Sequence, residues 1–137
     1  MNRVYITMDS LPENISFARV IVSGFITPLD PTIGETTDIK TAVSEAVTNA
    51  VIHGGPDPFK MTITSHDKKI IIEITDTGVG IEDIEAARKP LFTTKDDMER
   101  SGLGFTVMES FMDTVEVTSV PGEGTSVILT KTLANQE

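Results

Sequence analysis

The sequence contains no cysteine and few cations, because Lys and Arg total 11 against 21 Asp and Glu. Without cysteine neither a disulfide framework nor a thiolate metal site can form, which fits a reducing cytoplasm. The net charge of −10 repels nucleic-acid backbones and anionic lipid surfaces, so we expect no direct nucleic-acid partner and no membrane contact. No apolar run approaches the roughly 18 residues of a membrane span, and the N-terminal segment has no signal-peptide stretch, so we predict a cytoplasmic protein.

A chain of 137 residues, of which 39% are apolar, can form one hydrophobic core but is too short for two. We therefore predict a single domain over residues 1–137.

Hydrophobic periodicity and turn residues predict helices that alternate with hairpins. The predicted elements are a strand at 4–8, a helix ending near 27, a helix at 32–53, strands at 60–66 and 69–76, a short helix at 84–88, a helix at 104–112, and strands at 115–120 and 125–131. Ser10 with Glu13, and Thr32 with Glu35, have the spacing of capping boxes. This order predicts an α/β fold, a two-layer sandwich with helices on one face of a mixed, mostly antiparallel sheet.

Glu45 and Asn49 are four residues apart on the second predicted helix. Their side chains therefore project from one helix face, one turn apart, and belong to one site. On spacing alone, a solvated helix face is the more common explanation of such a pair.

Asp76 directly follows a predicted strand, and Gly78 and Gly80 come after it. Glycines let a backbone approach a ligand closely, although an ordinary turn has the same composition. The string Asp-Thr-Gly also occurs in dimeric aspartic proteases, but those are almost entirely β, and here two long helices precede it.

The segment Ser101–Gly104 lies between a charged stretch and a predicted helix start, where free backbone N–H groups favour phosphate. Arg88, Lys89, Lys95 and Arg100 give this stretch a local positive charge in an acidic protein. A charged surface loop is the simpler alternative for the stretch taken alone.

The combination is more specific than any part. In order along the chain it comprises Glu45-x-x-x-Asn49, Asp76-x-Gly-x-Gly80, Gly102-x-Gly104 and Gly124-Thr125. This order resembles, end to end, the Bergerat ATP-binding fold of the GHKL superfamily. The strings at 44–50, 90–95 and 99–105 are similar to those of the sporulation anti-sigma factors of the sigma-F type, which are serine kinases of that superfamily.

The resemblance implies ATP or ADP and Mg²⁺ as ligands. It implies that Asn49 is a Mg²⁺ ligand, with phosphate and water completing the shell, and that Glu45 is the base for the attacking serine. Asp76 would accept a hydrogen bond from the adenine amino group with help from the Thr125 hydroxyl, and Gly78 and Gly80 would leave room for the base.

The resemblance also implies a lid at about 88–101 that closes over the phosphates. Its predicted contacts are Thr93, Thr94, Lys95, Ser101, Gly102, Leu103 and Gly104, with Lys95 or Arg100 stabilising the transferred charge.

The implied partners are a sigma factor of RNA polymerase, an anti-anti-sigma protein that is phosphorylated on serine, and a second copy of the chain in a homodimer. The resemblance places the dimer contact and part of the sigma-binding surface on the first strand and helix. Glu13 and Arg19 are the charged residues of that helix, and Arg19 is the only cation between Arg3 and Lys40. A solvated arginine is the alternative.

Three other functions follow from the same motifs. A related switch kinase for a stress-response sigma factor would share the chemistry and differ in partners. A non-catalytic nucleotide-binding module is disfavoured by Glu45, since binding alone needs no base. A histidine kinase is disfavoured by length, because no phosphoaccepting dimerisation helix remains.

The loop at 55–59 is shorter than in the family, which weakens any prediction of a partner-binding surface at this loop.

Overall fold

The computed structural model describes residues 1–78 and 96–134, with side chains for all of these except 96–103. Its elements are β1 (Asn2–Met8), α1 (Glu13–Ile26), a 3-10 turn (Thr27–Leu29), α2 (Ile33–His53), β2 (Phe59–His66), β3 (Lys69–Asp76), α3 (Asp96–Phe111), β4 (Thr114–Val120) and β5 (Gly124–Thr132). The short helix predicted at 84–88 lies outside the described residues.

The five strands form one sheet in the order β1-β2-β3-β5-β4, and each neighbouring pair is antiparallel. Both predicted hairpins, β2 with β3 and β4 with β5, are confirmed. The sheet was predicted to be mixed and mostly antiparallel, and all the described strand pairs are antiparallel. Residue Asp76, at the end of β3, lies opposite Thr125 of β5.

Alternate strand residues face one apolar layer, as a period of two requires. The fully or nearly fully buried strand positions are Phe59, Met61, Ile63, Ile70, Ile72, Ile74, Val127 and Leu129. The predicted stripe of α2, which is Ile39, Val43, Ala46, Val47 and Ala50, is also buried. Lys60 and Glu116, on the opposite face of the sheet, are exposed. The predicted two-layer sandwich is therefore confirmed.

The capping box of α2 forms as predicted. Thr32 N donates to Glu35 Oε1 at 2.9 Å, and Glu35 N donates to Thr32 Oγ1 at 3.0 Å. The second carboxylate oxygen, Oε2, accepts from Ala134 N at 2.7 Å. Glu35 thus joins the start of α2 to the last described residues.

The capping box predicted for α1 is wrong. The residue before the helix is Pro12, already in helical geometry, and it has no side-chain cap. Asn14 instead donates to Asp9 O at 2.8 Å, and Ser10 Oγ is buried with no hydrogen-bond partner among residues 1–78 and 96–134. Because the chain turns into the helix through Leu11 and Pro12, the Ser10 hydroxyl does not reach the first helical N–H groups.

The third helix begins at Asp96 and not at Gly104 as predicted. Met98, Glu99 and Arg100 are good helix formers, so the helix can start before the two glycines. A helical glycine costs only about 1 kcal/mol relative to alanine, which packing of α3 against α2 can offset. At its other end, Phe111 O accepts a hydrogen bond from Lys131 Nζ at 2.8 Å.

No helix among the described residues combines the length and the apolar character that a membrane crossing needs.

Candidate functional site

The middle of α2 meets α3 at the predicted pair Glu45 and Asn49. A Cβ atom placed on Gly104 would lie 3.2 Å from Glu45 Oε2 and 3.6 Å from Asn49 Nδ2. The absence of that Cβ lets the α3 backbone lie directly against both polar side chains. The structure therefore brings together three predicted site residues from two helices, although Gly104 lies 55 residues beyond Asn49 and 59 beyond Glu45 in the sequence.

The Asn49 amide is the unusual group of this cluster. Its Nδ2 atom is buried and has no hydrogen-bond partner in the described part of the chain. Leaving a buried donor unpaired costs about 1–3 kcal/mol, so its retention calls for an explanation beyond the fold. A ligand that enters between α2 and α3 and contacts the amide would provide one.

The same cluster can be tested for a divalent cation. An amide oxygen is a ligand that Mg²⁺ accepts, and a half turn of the Asn49 amide brings its oxygen to the buried position. No group of three or more His, Cys, Asp and Glu side chains that could hold a metal occurs among the described residues. Asn49 therefore fits Mg²⁺ only when most of the coordination shell comes from a bound phosphate and water, as this strongly hydrated ion prefers.

Asp76 lies at the end of β3, where the sheet meets the C-terminal end of α2. Its Oδ1 accepts a hydrogen bond from Gly78 N at 2.9 Å, and the backbone N–H of Thr125 also donates to the carboxylate. Burial raises the pKa of Asp76 above its ordinary value, although these two hydrogen bonds and the charge of His53 act in the opposite direction. The result is a half-buried carboxylate in a fixed orientation.

Thr125 is held from the neighbouring strand by a residue that sequence reasoning missed. Its Oγ1 lies 3.0 Å from Ser119 Oγ, and Ser119 Oγ also donates to Gly124 O at 3.1 Å. The two residues are directly opposed in the β4–β5 hairpin. The predicted turn at 121–124 pairs Thr125 with Val120, whereas the observed turn at 121–123 shifts the register by one residue and brings Ser119 opposite Thr125.

Several predicted contacts lie beyond what the structure describes. Gly80, Thr93, Thr94 and Lys95 lie outside the described residues, as do the side chains of Arg100, Ser101 and Leu103. The backbone of Gly102 is inside α3, where each N–H pairs with the carbonyl four residues earlier. The predicted N–H contacts to phosphate therefore require the first turns of α3 to open, and they stay a prediction.

The predicted partner residues lie on α1, which packs against α2. Glu13 is exposed, and Arg19 is half-buried with its Nη2 donating to Ser16 Oγ at 3.1 Å. Two apolar side chains of the same helix are strongly exposed, Phe17 at 54% and Val20 at 65%. Sequence reasoning did not single these out, because lone exposed apolar residues are common.

Known proteins resemble this chain over nearly its whole length. Residues 8–131 match the histidine kinase-like ATPase domain. The chain is 51% identical over 140 residues to the anti-sigma F factor of Bacillus licheniformis, covering 99% of this chain and 96% of that protein. It is 53% identical over 134 residues to the anti-sigma F factor of Clostridium perfringens (strain SM101 / Type A), covering 95% and 96%.

Among solved structures, the RsbU and RsbW domains of Rv1364c from Mycobacterium tuberculosis superpose with a TM-score of 0.69. The two chains are 17% identical, and the match covers 99% of this chain and 34% of that one. This likeness supports the two-layer fold.

Proposed function

This chain belongs to the anti-sigma F factors within the histidine kinase-like ATPase domain family, and we propose that it is a serine protein kinase as well as an anti-sigma factor. In this proposal it binds ATP and ADP and transfers the γ-phosphoryl group of ATP to a serine of an anti-anti-sigma protein. It also binds and inhibits a sporulation sigma factor of the sigma-F type. We place both activities in the cytoplasm.

The observation that carries the proposal is the placement of Glu45 beside Asn49 against the backbone of Gly104. The unpaired Asn49 amide supports a ligand at this point. A site for binding alone would need the amide and no carboxylate next to it. A carboxylate within one helical turn of the metal-binding group is what proton removal from an attacking hydroxyl requires.

The roles divide as follows. Asn49 would hold Mg²⁺, which would supply positive charge against the nucleotide phosphates. Glu45 would take the proton of the acceptor serine as its oxygen bonds to the γ-phosphorus, and ADP would leave with the electrons of the broken bond. Asp76 would accept a hydrogen bond from the adenine amino group, with the Thr125 hydroxyl assisting it.

The remaining nucleotide contacts are proposed from the resemblance alone. They are Gly78, Gly80, Thr93, Thr94, Lys95, Arg100, Ser101, Gly102, Leu103 and Gly104. The partners are proposed on the same basis, with a homodimer formed through β1 and α1 and with Glu13 and Arg19 on the partner surface. The exposed Phe17 supports an interface on α1, because aromatic side chains are enriched at protein interfaces.

The test is phosphoryl transfer from γ-labelled ATP to a purified anti-anti-sigma protein. We expect label on one serine, and no label when that serine is replaced by alanine. Nucleotide binding without any transfer would leave a non-catalytic binding module. Transfer to the antagonist of a stress-response sigma factor, and not to that of a sporulation sigma factor, would assign the chain to the other switch pathway.

A further inference from the structure

The backbones of two glycines from separate parts of the chain, Gly54 and Gly124, lie in close contact with Asp76. A Cβ placed on Gly54, at the C-terminal end of α2, would lie 2.7 Å from Asp76 Cβ and 3.0 Å from its Cγ. One placed on Gly124, at the start of β5, would overlap the Asp76 carbonyl oxygen. Distances this short are not sustained between real atoms, so the backbones touch Asp76 only because both residues lack a side chain.

Gly54 also touches the residue that orients the carboxylate. A Cβ on Gly78 would lie 2.5 Å and 2.6 Å from the carbonyl carbon and Cα of Gly54, and 2.6 Å from His53 O. Gly78 N is the donor to Asp76 Oδ1 at 2.9 Å. A shift at Gly54 would therefore move the carboxylate directly and through its hydrogen-bond donor.

The backbone conformation of Gly54 does not explain why it is a glycine. Its φ of −83° and ψ of 3° are open to any residue. The next residue, Gly55, has a φ of +77° and makes the left-handed turn after α2. What Gly54 provides is close approach: an added Cβ would overlap Ala50 O of the same helix and the Asp76 side chain, and Asp76 is the one of the two that belongs to the candidate site.

We propose that Gly54 is a positioning residue for base selectivity, because its missing side chain lets the end of α2 fix the Asp76 carboxylate where it meets the exocyclic amino group of a purine. The inference rests on the proposed function, in which Asp76 recognises adenine. It adds a residue that touches neither the nucleotide nor the reacting atoms.

The experiment compares ADP with inosine diphosphate, which carries an oxygen in place of the amino group, in binding by calorimetry. We expect the wild type to prefer ADP by about tenfold or more, the effect of one hydrogen bond to a charged group. Gly54→Ala should reduce this preference to about threefold or less. The matched control is Gly34→Ala on the same helix, where the nearest atom to an added Cβ is Thr32 Oγ1 at 3.9 Å, and it should keep the wild-type preference.

A purely structural role for Gly54 would weaken both ligands by the same factor and leave their ratio unchanged, which would overturn the proposal. A wild type that binds both ligands equally would instead remove the adenine contact of Asp76 from the proposed function, and with it the basis of the inference.

Should Gly54→Ala fail to fold, the wild type provides a second measurement. The amide resonances of Gly54 and Gly78 should shift when ADP is added and stay in place with inorganic pyrophosphate. Amide resonances that do not shift when ADP is added, or that shift equally with pyrophosphate, would contradict a role in recognising the base.

Discussion

At the sheet end of the candidate site, the Asp76 carboxylate is held by the N–H groups of Gly78 and Thr125. At the helix end, the Asn49 amide is buried with no partner in the described part of the chain, and Glu45 lies beside it against Gly104. Within the described part of the chain, the carboxylate proposed to read the base is hydrogen-bonded, and the amide proposed to hold Mg²⁺ is unpaired. In the proposed function, recognition of the base is therefore preorganised, whereas the helix end would be completed by its ligand.

The largest expected effect is at the helix end. Glu45→Gln keeps the shape of the side chain and removes its basicity, so phosphoryl transfer should fall by about 100-fold or more while Mg-ATP affinity stays within a few-fold. Single-turnover transfer and equilibrium binding, measured on the same preparation, separate the two. A transfer rate equal to that of the wild type would remove Glu45 from the chemistry.

The next effect is at the sheet end. Asp76→Asn replaces a charged acceptor with an amide that can present a donor to the adenine amino group, so ATP affinity should fall by about 1–3 kcal/mol. Titration with ATP and GTP provides the control, because guanine has an acceptor where adenine has its amino group. Equal wild-type affinity for the two nucleotides would contradict base reading by Asp76.

Asn49→Ala tests the contrast between the two ends most directly. Removing a buried unpaired amide should leave the stability of the free protein unchanged or raise it by up to about 1 kcal/mol. The same change should lower Mg-ATP affinity by about tenfold or more, and affinity measured in EDTA much less, because it deletes the metal ligand. Urea unfolding and binding with and without Mg²⁺ are the measurements. A clear loss of stability would mean that the fold, and not a ligand, uses the amide.

The smallest expected effect is in the pH dependence of stability. Because burial raises the pKa of Asp76 in the folded protein above its ordinary 3.8, the folded state binds more protons than the unfolded state between the two pKa values. Stability due to this group therefore falls as pH rises through that range. Urea-unfolding free energies of the wild type, relative to those of Asp76→Asn, should decline from acidic to neutral pH.

Glu35 provides the internal check on this measurement. Its pKa is lowered by hydrogen bonds from Thr32 and Ala134 despite its partial burial, so its contribution to stability is lost as pH falls. That contribution is common to both proteins and cancels in the difference. A difference that grows in favour of the wild type toward neutral pH would show that the hydrogen bonds to Asp76 outweigh its burial.

The amino-acid sequence by itself determined the features that depend on short-range periodicity. The stripe of α2 from Ile39 to Ala50 is buried as its spacing predicts, the box formed by Thr32 and Glu35 closes, and β3 ends at Asp76 as expected. The pair of Glu45 and Asn49 shares a helix face for the same reason. Each of these needs only a few consecutive residues, because helix and strand geometry repeat within that distance.

Only the tertiary structure decided where α3 begins and what the glycines do. The turn-like glycines predict a helix start at Gly104, but α3 runs through them because its packing on α2 offsets their cost, and Gly104 there lies close against Glu45. Likewise, the sequence marks Gly54 only as a residue that ends a helix, whereas in the fold it lies against Asp76. Close approach between distant backbones leaves no periodic trace in the sequence, since its only local mark is a glycine, which turns and helix ends also favour.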